Sequence, residues 1–222
     1  LYDAAIRPLA KFPINGVIWY QGESNAENME IHERLFSLLL KSWRTNWNNA
    51  QLPVYMVQLS SINRPSWPWF RNSQRLMANS LPHVYMAVSS DVGDSLDVHP
   101  RKKYPIGKRL ANLALYHQYD FKQLTPCGPN VQRAVVQNDG EVRVYFNWAN
   151  KLKTADGHAP RTFEVAGYDE GFYPAEATIH NEEVPQVAHP AFVRYAWQPF
   201  TRANLVNGDA LPASTFRVEV EH

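Results

Sequence analysis

The chain has 222 residues, of which 45% are hydrophobic, and this is enough to bury a core in one large domain or two small ones. Its 22 Lys and Arg nearly balance its 21 Asp and Glu, so a net charge of +1 points to no nucleic-acid partner and no anionic membrane surface. A single cysteine, Cys127, excludes an internal disulfide and a cysteine-based zinc site. No apolar run approaches the ~20 residues of a membrane-spanning helix.

The first part of the chain alternates apolar runs with helical patterns. The runs cover residues 17–20, 54–59 and 84–88, and buried strands of a parallel sheet typically read as unbroken apolar stretches. Helical periodicity follows each run, which is typical of consecutive βαβ units. The second predicted helix covers residues 70–79 and the third covers residues 106–116. The first has a broad apolar face formed by Ile31, Leu35, Phe36, Leu39, Leu40, Trp43 and Trp47. We expect all three to pack on the sheet, within a domain over residues 1–128.

From residue 129 onward the pattern changes to short alternating runs. Residues 131–137 and 142–148 flank the turn Asn138-Asp139-Gly140, which predicts a hairpin. Further runs punctuated by Pro and Gly predict more strands, at residues 163–165, 177–180, 192–197 and 216–220. The sequence therefore predicts an α/β fold followed by a β-rich, sandwich-like domain over residues 129–222.

The first candidate site follows the first apolar run. Gln21, Glu23, Ser24 and Asn25 would stand at the carboxyl end of that strand. Ligands of open α/β sheets bind in the crevice beyond these strand ends. This position makes the four side chains candidates for chemistry or binding.

The second candidate site follows the third apolar run, so it would lie at the same edge of the sheet. His99 has a near-neutral intrinsic pKa and suits a general base, and Asp97 could hold one of its ring nitrogens. Pro100 biases His99 toward extended geometry. The alternative is that the aspartates of this loop are turn and cap residues and that His99 merely precedes a helix.

Ser24 offers a different nucleophile. The segment 22–26, Gly-Glu-Ser-Asn-Ala, approximates the Gly-x-Ser-x-Gly elbow of α/β-hydrolases, with Asp97 and His99 completing a triad. Against this, Ser24 and Glu27 fit a capping box at the start of the first helix, which is a structural role. We keep Ser24 as the second interpretation.

A metal or nucleotide cofactor has little support. Asp91, Asp94, Asp97 and His99 are possible metal ligands, but their spacing matches neither a calcium loop nor a zincin helix. The sequence also lacks a P-loop and a dinucleotide-binding glycine motif. We therefore expect no metal and no cofactor.

The predicted parallel sheet is small. Natural sheets usually hold about 4 to 6 strands, and uncovered edges promote aggregation. The chain also begins at Leu1 without an initiator Met. We therefore expect that strands preceding Leu1 complete this domain.

Several motifs together resemble the sialate O-acetylesterase family, and the resemblance spans nearly the whole chain. The N-terminal motifs are Gly-Val-Ile-Trp-Tyr-Gln-Gly-Glu-Ser-Asn-Ala at 16–26, Trp43-Arg44 with Trp47, Val-Gln-Leu at 57–59, His99-Pro100 and Gly-Lys-Arg-Leu-Ala at 107–111. Residues 163–167, 193–197 and 211–214 are similar to that family's C-terminal β region.

The resemblance implies a fold and a reaction. Members are serine esterases of the SGNH hydrolase type, with a flavodoxin-like parallel sheet and no metal requirement. Their substrates would be O-acetylated sialic acid or related glycans. By this resemblance His99 takes the serine proton and Gln21 donates a hydrogen bond to the oxyanion, while Glu23 and Asn25 support Gln21 or line the substrate pocket.

One position departs from the pattern of SGNH hydrolases. They commonly carry Asp three residues before the catalytic His, where this chain has Leu96. Asp97, Asp94 or a backbone carbonyl could therefore orient the imidazole of His99.

The resemblance also implies that a residue is missing. The family's nucleophile lies in an early Gly-Gln-Ser-Asn segment, which this sequence lacks. We therefore expect the N-terminal portion of the same precursor to supply the serine. The resemblance suggests a periplasmic, secreted or lysosomal location, which composition leaves open. A non-catalytic carbohydrate-binding fragment, using aromatic and β-rich surfaces, is the alternative from another functional class.

Overall fold

The computed structural model describes residues 2–138, 140–179 and 190–222. The three α-helices of these residues are α1 (Met29–Asn46), α2 (Trp67–Ser80) and α3 (Lys103–Gln118). The strands are β1 (Val17–Trp19), β2 (Val54–Gln58), β3 (Val84–Val88), β4 (Asn130–Val136), β5 (Val142–Asn147), β6 (Lys153–Thr154), β7 (Phe163–Ala166), β8 (Tyr173–Ala175), β9 (Phe192–Tyr195), β10 (Leu205–Val206) and β11 (Phe216–Glu221).

The first sheet is parallel, with strand order β1-β2-β3. Helices α1 and α2 cover one face, where Phe36 and Met77 pack against Met56. Helix α3 covers the other face, where Leu110 packs with Val57. Because successive strand residues point to opposite faces, β2 between two covered faces is buried at all five positions. The predicted strands and the α/β class are confirmed.

Helices α2 and α3 each begin three residues earlier than predicted. Pro68 lies in the first turn of α2, and Pro105 lies in the first turn of α3. The first backbone N–H groups of a helix have no intrahelical acceptor, so a proline there breaks no hydrogen bond. Both prolines are therefore compatible with helix starts.

The predicted packing face of α1 is partly wrong. The helix buries His32, Phe36 and Leu40, whereas Ile31 is 60% exposed and Leu35 is 53% exposed. Apolar residues surround more of this helix than one sheet can cover, so the periodicity could not identify which of them face inward.

Strand β1 leaves further apolar surface open. In the described part of the chain β1 pairs only with β2, and Ile18 in its middle is 66% exposed. Helix α3 packs over β2 and β3 rather than over β1. Val17 and Trp19 pack on the α1 face, so Ile18 points to the opposite face of the sheet and leaves apolar surface open there. Ile31, Leu35 and Leu38 of α1 are also more than half exposed.

The second unit contains a six-stranded sheet of order β5-β4-β11-β9-β7-β8 and a two-stranded sheet of β6 and β10. Strands β4 and β11 are parallel, and the other pairs are antiparallel. Val165, Val193, Tyr195 and Phe216 form the centre of its core. The predicted hairpin is present as β4 and β5, although Asp139 of its turn lies outside the described residues.

The strand predicted at residues 177–180 is wrong over the part that can be compared. The nearest strand is β8, and residues 177–179 are not in a strand, while His180 lies outside the described residues. Ala177 and Ile179 nevertheless pack against the core of the β-rich unit. The alternating apolar residues in this segment therefore reflect burial against the core and not pairing with another strand. The domain boundary after residue 128 stays a prediction.

The last turn of α3 carries a histidine that should make the fold sensitive to acid. The His117 ring stacks on Tyr85 with 3.5 Å between centroids, and burial together with Lys122 lowers the pKa of His117 to about 4. An unfolded histidine titrates near about 6.5, so between pH 6.5 and 4 the unfolded state binds more protons. The contribution of neutral His117 to the free energy of unfolding is therefore complete above pH 6.5 and is lost as the pH falls toward 4.

We expect His117→Gln to lose less stability than the wild type between pH 7 and pH 4.5. Urea unfolding midpoints at the two pH values measure this difference. His158→Gln, a change at an exposed histidine, is the matched control and should behave as the wild type does. An equal acid loss in wild type and His117→Gln would contradict the assignment.

Candidate active site

The loops after the three parallel strands meet at the carboxyl edge of the sheet. A buried cluster joins them: Tyr20 and Val98 pack against its members, which are Ala26, Leu59, Ile62, Trp67 and Phe70. Tyr20 precedes Gln21, and Val98 lies between Asp97 and His99. The cluster therefore brings the two predicted sites to the same edge, as strand-end geometry requires.

The loop after β1 holds Gln21 in a defined position. The Gln21 Nε2 donates a hydrogen bond to Asn25 Oδ1 at 2.9 Å, and both side chains are half-buried. Gly22 has φ +145°, and a Cβ there would lie 2.5 Å from the Phe70 ring, so only glycine fits. An amide carries two N–H donors, so the bond to Asn25 leaves one for a ligand.

Glu23 lies half-buried beside the same loop. Burial raises the pKa of Tyr20, and the negative charge of Glu23 raises it further. The carboxylate of Glu23 is therefore close enough to Tyr20 to act on it electrostatically. This position is compatible with the predicted role of Glu23 in supporting Gln21 or lining a pocket, and that role stays a prediction.

Ser24 does not occupy a nucleophile elbow. It is exposed within the short 3-10 turn Glu23–Asn25, and residues 20–28 separate β1 from α1. An elbow is a sharp turn directly from strand to helix. The predicted capping box with Glu27 is also wrong, because α1 begins at Met29 and its N-cap, Asn28, makes no side-chain capping bond.

The loop after β3 places a carboxylate beside His99. The Asp97 Oδ1 lies 3.5 Å from His99 Nδ1 and accepts the backbone N–H of His99 at 2.9 Å. The imidazole is 82% exposed. A separation of 3.5 Å is longer than an ordinary hydrogen bond, but catalytic hydrogen bonds are often long before substrate binds.

Asp94 has a different function in the same loop. Its Oδ1 accepts the backbone N–H groups of Leu96 at 2.9 Å and Asp97 at 3.3 Å, and these two bonds lower the pKa of Asp94. Asp94 therefore shapes the turn that leads to Asp97. Of the two aspartates, Asp97 is the one that lies next to the imidazole.

Sequence reasoning missed the residue that anchors the start of this loop. Arg109 of α3 binds both carboxylate oxygens of Asp91 at 2.7 Å and donates to the carbonyl of Val88 at 2.8 Å. A two-pronged Arg–carboxylate pair fixes orientation as well as distance. Asp91, weighed above as a metal ligand, is held in this ion pair. Arg109 reads in sequence as an ordinary exposed helix charge, so no signal identified it.

Two features are absent from the residues that the structure describes. No group of three or more His, Cys, Asp or Glu side chains there is arranged to hold a metal ion. None of the helices in the same ranges has the length and apolar character needed to cross a membrane.

A parallel α/β sheet that carries a His–Asp pair and a fixed amide at its carboxyl edge defines the general class, an α/β protein with an enzyme-like site. The profile of the carbohydrate esterases described as sialic acid-specific acetylesterases matches residues 1–116, which include every candidate site residue. The chain therefore belongs to the sialic acid-specific acetylesterase family of carbohydrate esterases, and the resemblance found in the sequence is confirmed.

Individual relatives agree with this assignment. The sialate O-acetylesterase of Mus musculus is 28% identical over 189 residues, covering 75% of this chain and 34% of the relative. The Homo sapiens enzyme is 32% identical over 151 residues, covering 58% and 29%. A crystal structure of a carbohydrate acetylesterase from Xanthomonas citri superposes with a TM-score of 0.87 at 35% identity, covering 96% of this chain and 52% of that one.

The chain is much shorter than these relatives. It spans about a third of the curated enzymes and about half of the solved one.

Proposed function

We propose that the chain forms part of a carbohydrate O-acetylesterase that removes O-acetyl groups from sialic acid or related glycans. The observation that carries this proposal is the placement of the His99–Asp97 pair and the Gln21 amide at one edge of the parallel sheet. Family membership supports the substrate class.

The reaction would proceed through an acyl-enzyme. His99 removes the proton of a serine hydroxyl while the serine oxygen attacks the acetyl carbonyl carbon. The spare N–H of Gln21 donates to the resulting oxyanion. The ester C–O bond then breaks, and the His99 imidazolium returns the proton to the departing sugar oxygen. Asp97 stabilises the imidazolium, and water releases acetate in the reverse sequence.

The serine would come from the N-terminal portion of the same precursor, bound to the surface beside β1 and α1. Ile18 is more than half exposed on the uncovered face of β1, and Ile31, Leu35 and Leu38 of α1 are more than half exposed as well. Completing the burial of each would contribute roughly 1–2 kcal/mol on the usual area scale. The free edge of β1 would pair with a further strand, giving a flavodoxin-like sheet of the SGNH type.

We also propose that the two sheets of the β-rich unit pack as a sandwich. Leu205 of β10 lies in the core of the six-stranded sheet, and its backbone N–H donates to the Tyr195 hydroxyl at 2.8 Å. This contact supports a sandwich-like packing of the small sheet on the large one.

A second candidate function is carbohydrate binding without catalysis. Trp69 is 43% exposed, and its ring packs edge-on against Trp197 at 5.0 Å. A partly exposed, rigidly held indole can stack on a sugar ring. This surface would serve a binding module as well as an esterase subsite, so an activity measurement must separate the two.

The test is hydrolysis of an aryl acetate and of O-acetylated sialic acid by this chain alone, by the N-terminal portion alone and by both together. We expect activity only from the combination, unchanged by a metal chelator. Glycan binding with no activity in any preparation would support the binding module. Activity from this chain alone would contradict the proposal that the serine lies elsewhere.

Replacing Asp97 and Asp94 with Asn, one at a time, should distinguish their roles. In Asp97→Asn we expect a kcat at least about 100-fold lower, because an amide cannot stabilise the imidazolium as a carboxylate does. The matched change Asp94→Asn removes a negative charge from the same loop, but this charge does not lie beside the imidazole. Its effect on kcat should therefore be about 10-fold smaller. Near-normal turnover in Asp97→Asn, with His99→Ala inactive, would exclude Asp97 from the triad.

A further inference from the structure

Arg71 of α2 is fully buried, and among the described residues no carboxylate pairs with it. Its guanidinium donates to the backbone carbonyls of Ala196 at 2.8 Å, Gln198 at 2.7 Å and Pro199 at 3.3 Å, and to Ser61 Oγ at 3.3 Å. Burial lowers the pKa of Arg71 to about 9. Burying an unpaired charge is costly, so stability alone gives little reason for an arginine here.

One end of this contact network reaches the loop that carries His99. The Ser61 Oγ, which accepts from Arg71, donates to the carbonyl of Ser90 at 2.8 Å. A Cβ on Gly93 would lie 2.3 Å from the Ser61 carbonyl oxygen, so the two backbones are in direct contact. The Asn63 N–H also donates to the Ser95 carbonyl at 3.1 Å. The segment 61–63 is therefore the support on which residues 90–95 lie.

The other end of the network belongs to the β-rich unit. Ala196 has φ +55°, a left-handed conformation that is uncommon for a residue other than glycine. Its N–H donates to the Thr162 carbonyl, and its carbonyl also accepts from Thr215 Oγ1 at 3.4 Å. Strained backbone persists where the surroundings determine it strongly. The surrounding hydrogen bonds thus hold the carbonyls of residues 196–199 in positions where they accept from the guanidinium.

We propose that Arg71 is a positioning residue through which the β-rich unit sets the geometry of the His99 loop. The path runs from the carbonyls of 196–199 through Arg71 and Ser61 to Ser90. The fork of an arginine can serve both ends at once, whereas a lysine offers a single ammonium. The inference rests on the proposed esterase function, because the loop matters only if His99 is the base.

Kinetics of the assembled esterase test the path. We expect Ser61→Ala to lower kcat by about 10-fold to 100-fold with KM changed less than about twofold, as misplacement of a catalytic group does. Arg71→Lys should lower kcat at least as much, and the double variant no further, because both changes interrupt one path. Arg75→Lys is the matched control: Arg75 is also buried in α2 and reaches the Arg217 carbonyl. We expect it to keep the wild-type kcat.

Backbone hydrogen exchange of the 222-residue chain supplies a measurement independent of activity. Amides of residues 89–99 should exchange faster in Ser61→Ala and Arg71→Lys than in Arg75→Lys. Unchanged exchange there in Ser61→Ala, or an equal loss of kcat in Arg75→Lys and Arg71→Lys, would overturn the positioning role. If the wild-type assembly has no esterase activity, the proposed function fails by itself, and the exchange data still decide whether Arg71 holds the loop.

Discussion

Replacing His99 with alanine is expected to lower the kcat of the assembled esterase by about 10⁴-fold to 10⁶-fold, the range known for loss of a triad base. In the proposed mechanism the imidazole is the group that accepts the serine proton and returns it to the sugar oxygen. The side chain is 82% exposed, so the thermal unfolding midpoint should stay within about 1 °C. Steady-state kinetics with an aryl acetate and a thermal melt measure the two effects.

The control for this change is His158→Ala, which removes an exposed histidine from the β-rich unit. Its kcat should equal that of the wild type. Added imidazole should partly restore turnover in His99→Ala, because the vacated position can admit a diffusible base. Activity of His99→Ala within about tenfold of the wild type would remove the central element of the mechanism.

Replacing Gln21 with alanine is expected to lower kcat by about 100-fold to 1,000-fold, or ~3–4 kcal/mol of transition-state stabilisation, with little change in KM. The amide would act on the oxyanion, which exists only as the reaction proceeds, so ground-state binding should be nearly unaffected. Initial rates over a range of substrate concentrations separate the two constants.

Two neighbouring changes sharpen the Gln21 experiment. Asn25→Ala removes the acceptor that holds the Gln21 amide, so it should lower kcat by a smaller factor, about 10-fold. Ser24→Ala should leave kcat unchanged, since Ser24 is exposed on a turn and the proposed nucleophile lies in the N-terminal portion. A rise in KM without a fall in kcat for Gln21→Ala would make Gln21 a substrate-binding residue instead.

The parallel half of the fold could be predicted from the sequence because its strands are apolar runs and the central one is buried on both sides. Strand β2 is apolar or buried at every position, so it appears in the sequence as an unbroken run. The orientation of α1 could not be read, because its apolar residues exceed what the sheet covers. Strand β8 could not be placed, since Ala177 and Ile179 are packed without being paired.

The location of the candidate site was predictable, but its internal contacts were not. Strand-end geometry places Gln21 and His99 at one edge without any knowledge of side-chain positions. Choosing between Asp97 and Asp94 depends on which carboxylate lies beside the imidazole and which one instead holds the turn. Arg71 and Arg109 look like solvated helix charges in the sequence, and only the packing of distant segments reveals their contacts.

Covalent labelling of the nucleophile tests the central claim most directly. A fluorophosphonate, which reacts with activated serines, would be added to this chain alone, to the N-terminal portion alone and to the assembly, and mass spectrometry would locate the adduct. We predict an adduct on a serine of the N-terminal portion, formed only in the assembly and lost in His99→Ala. An adduct on Ser24 of this chain, or equal labelling of the N-terminal portion without this chain, would contradict the account.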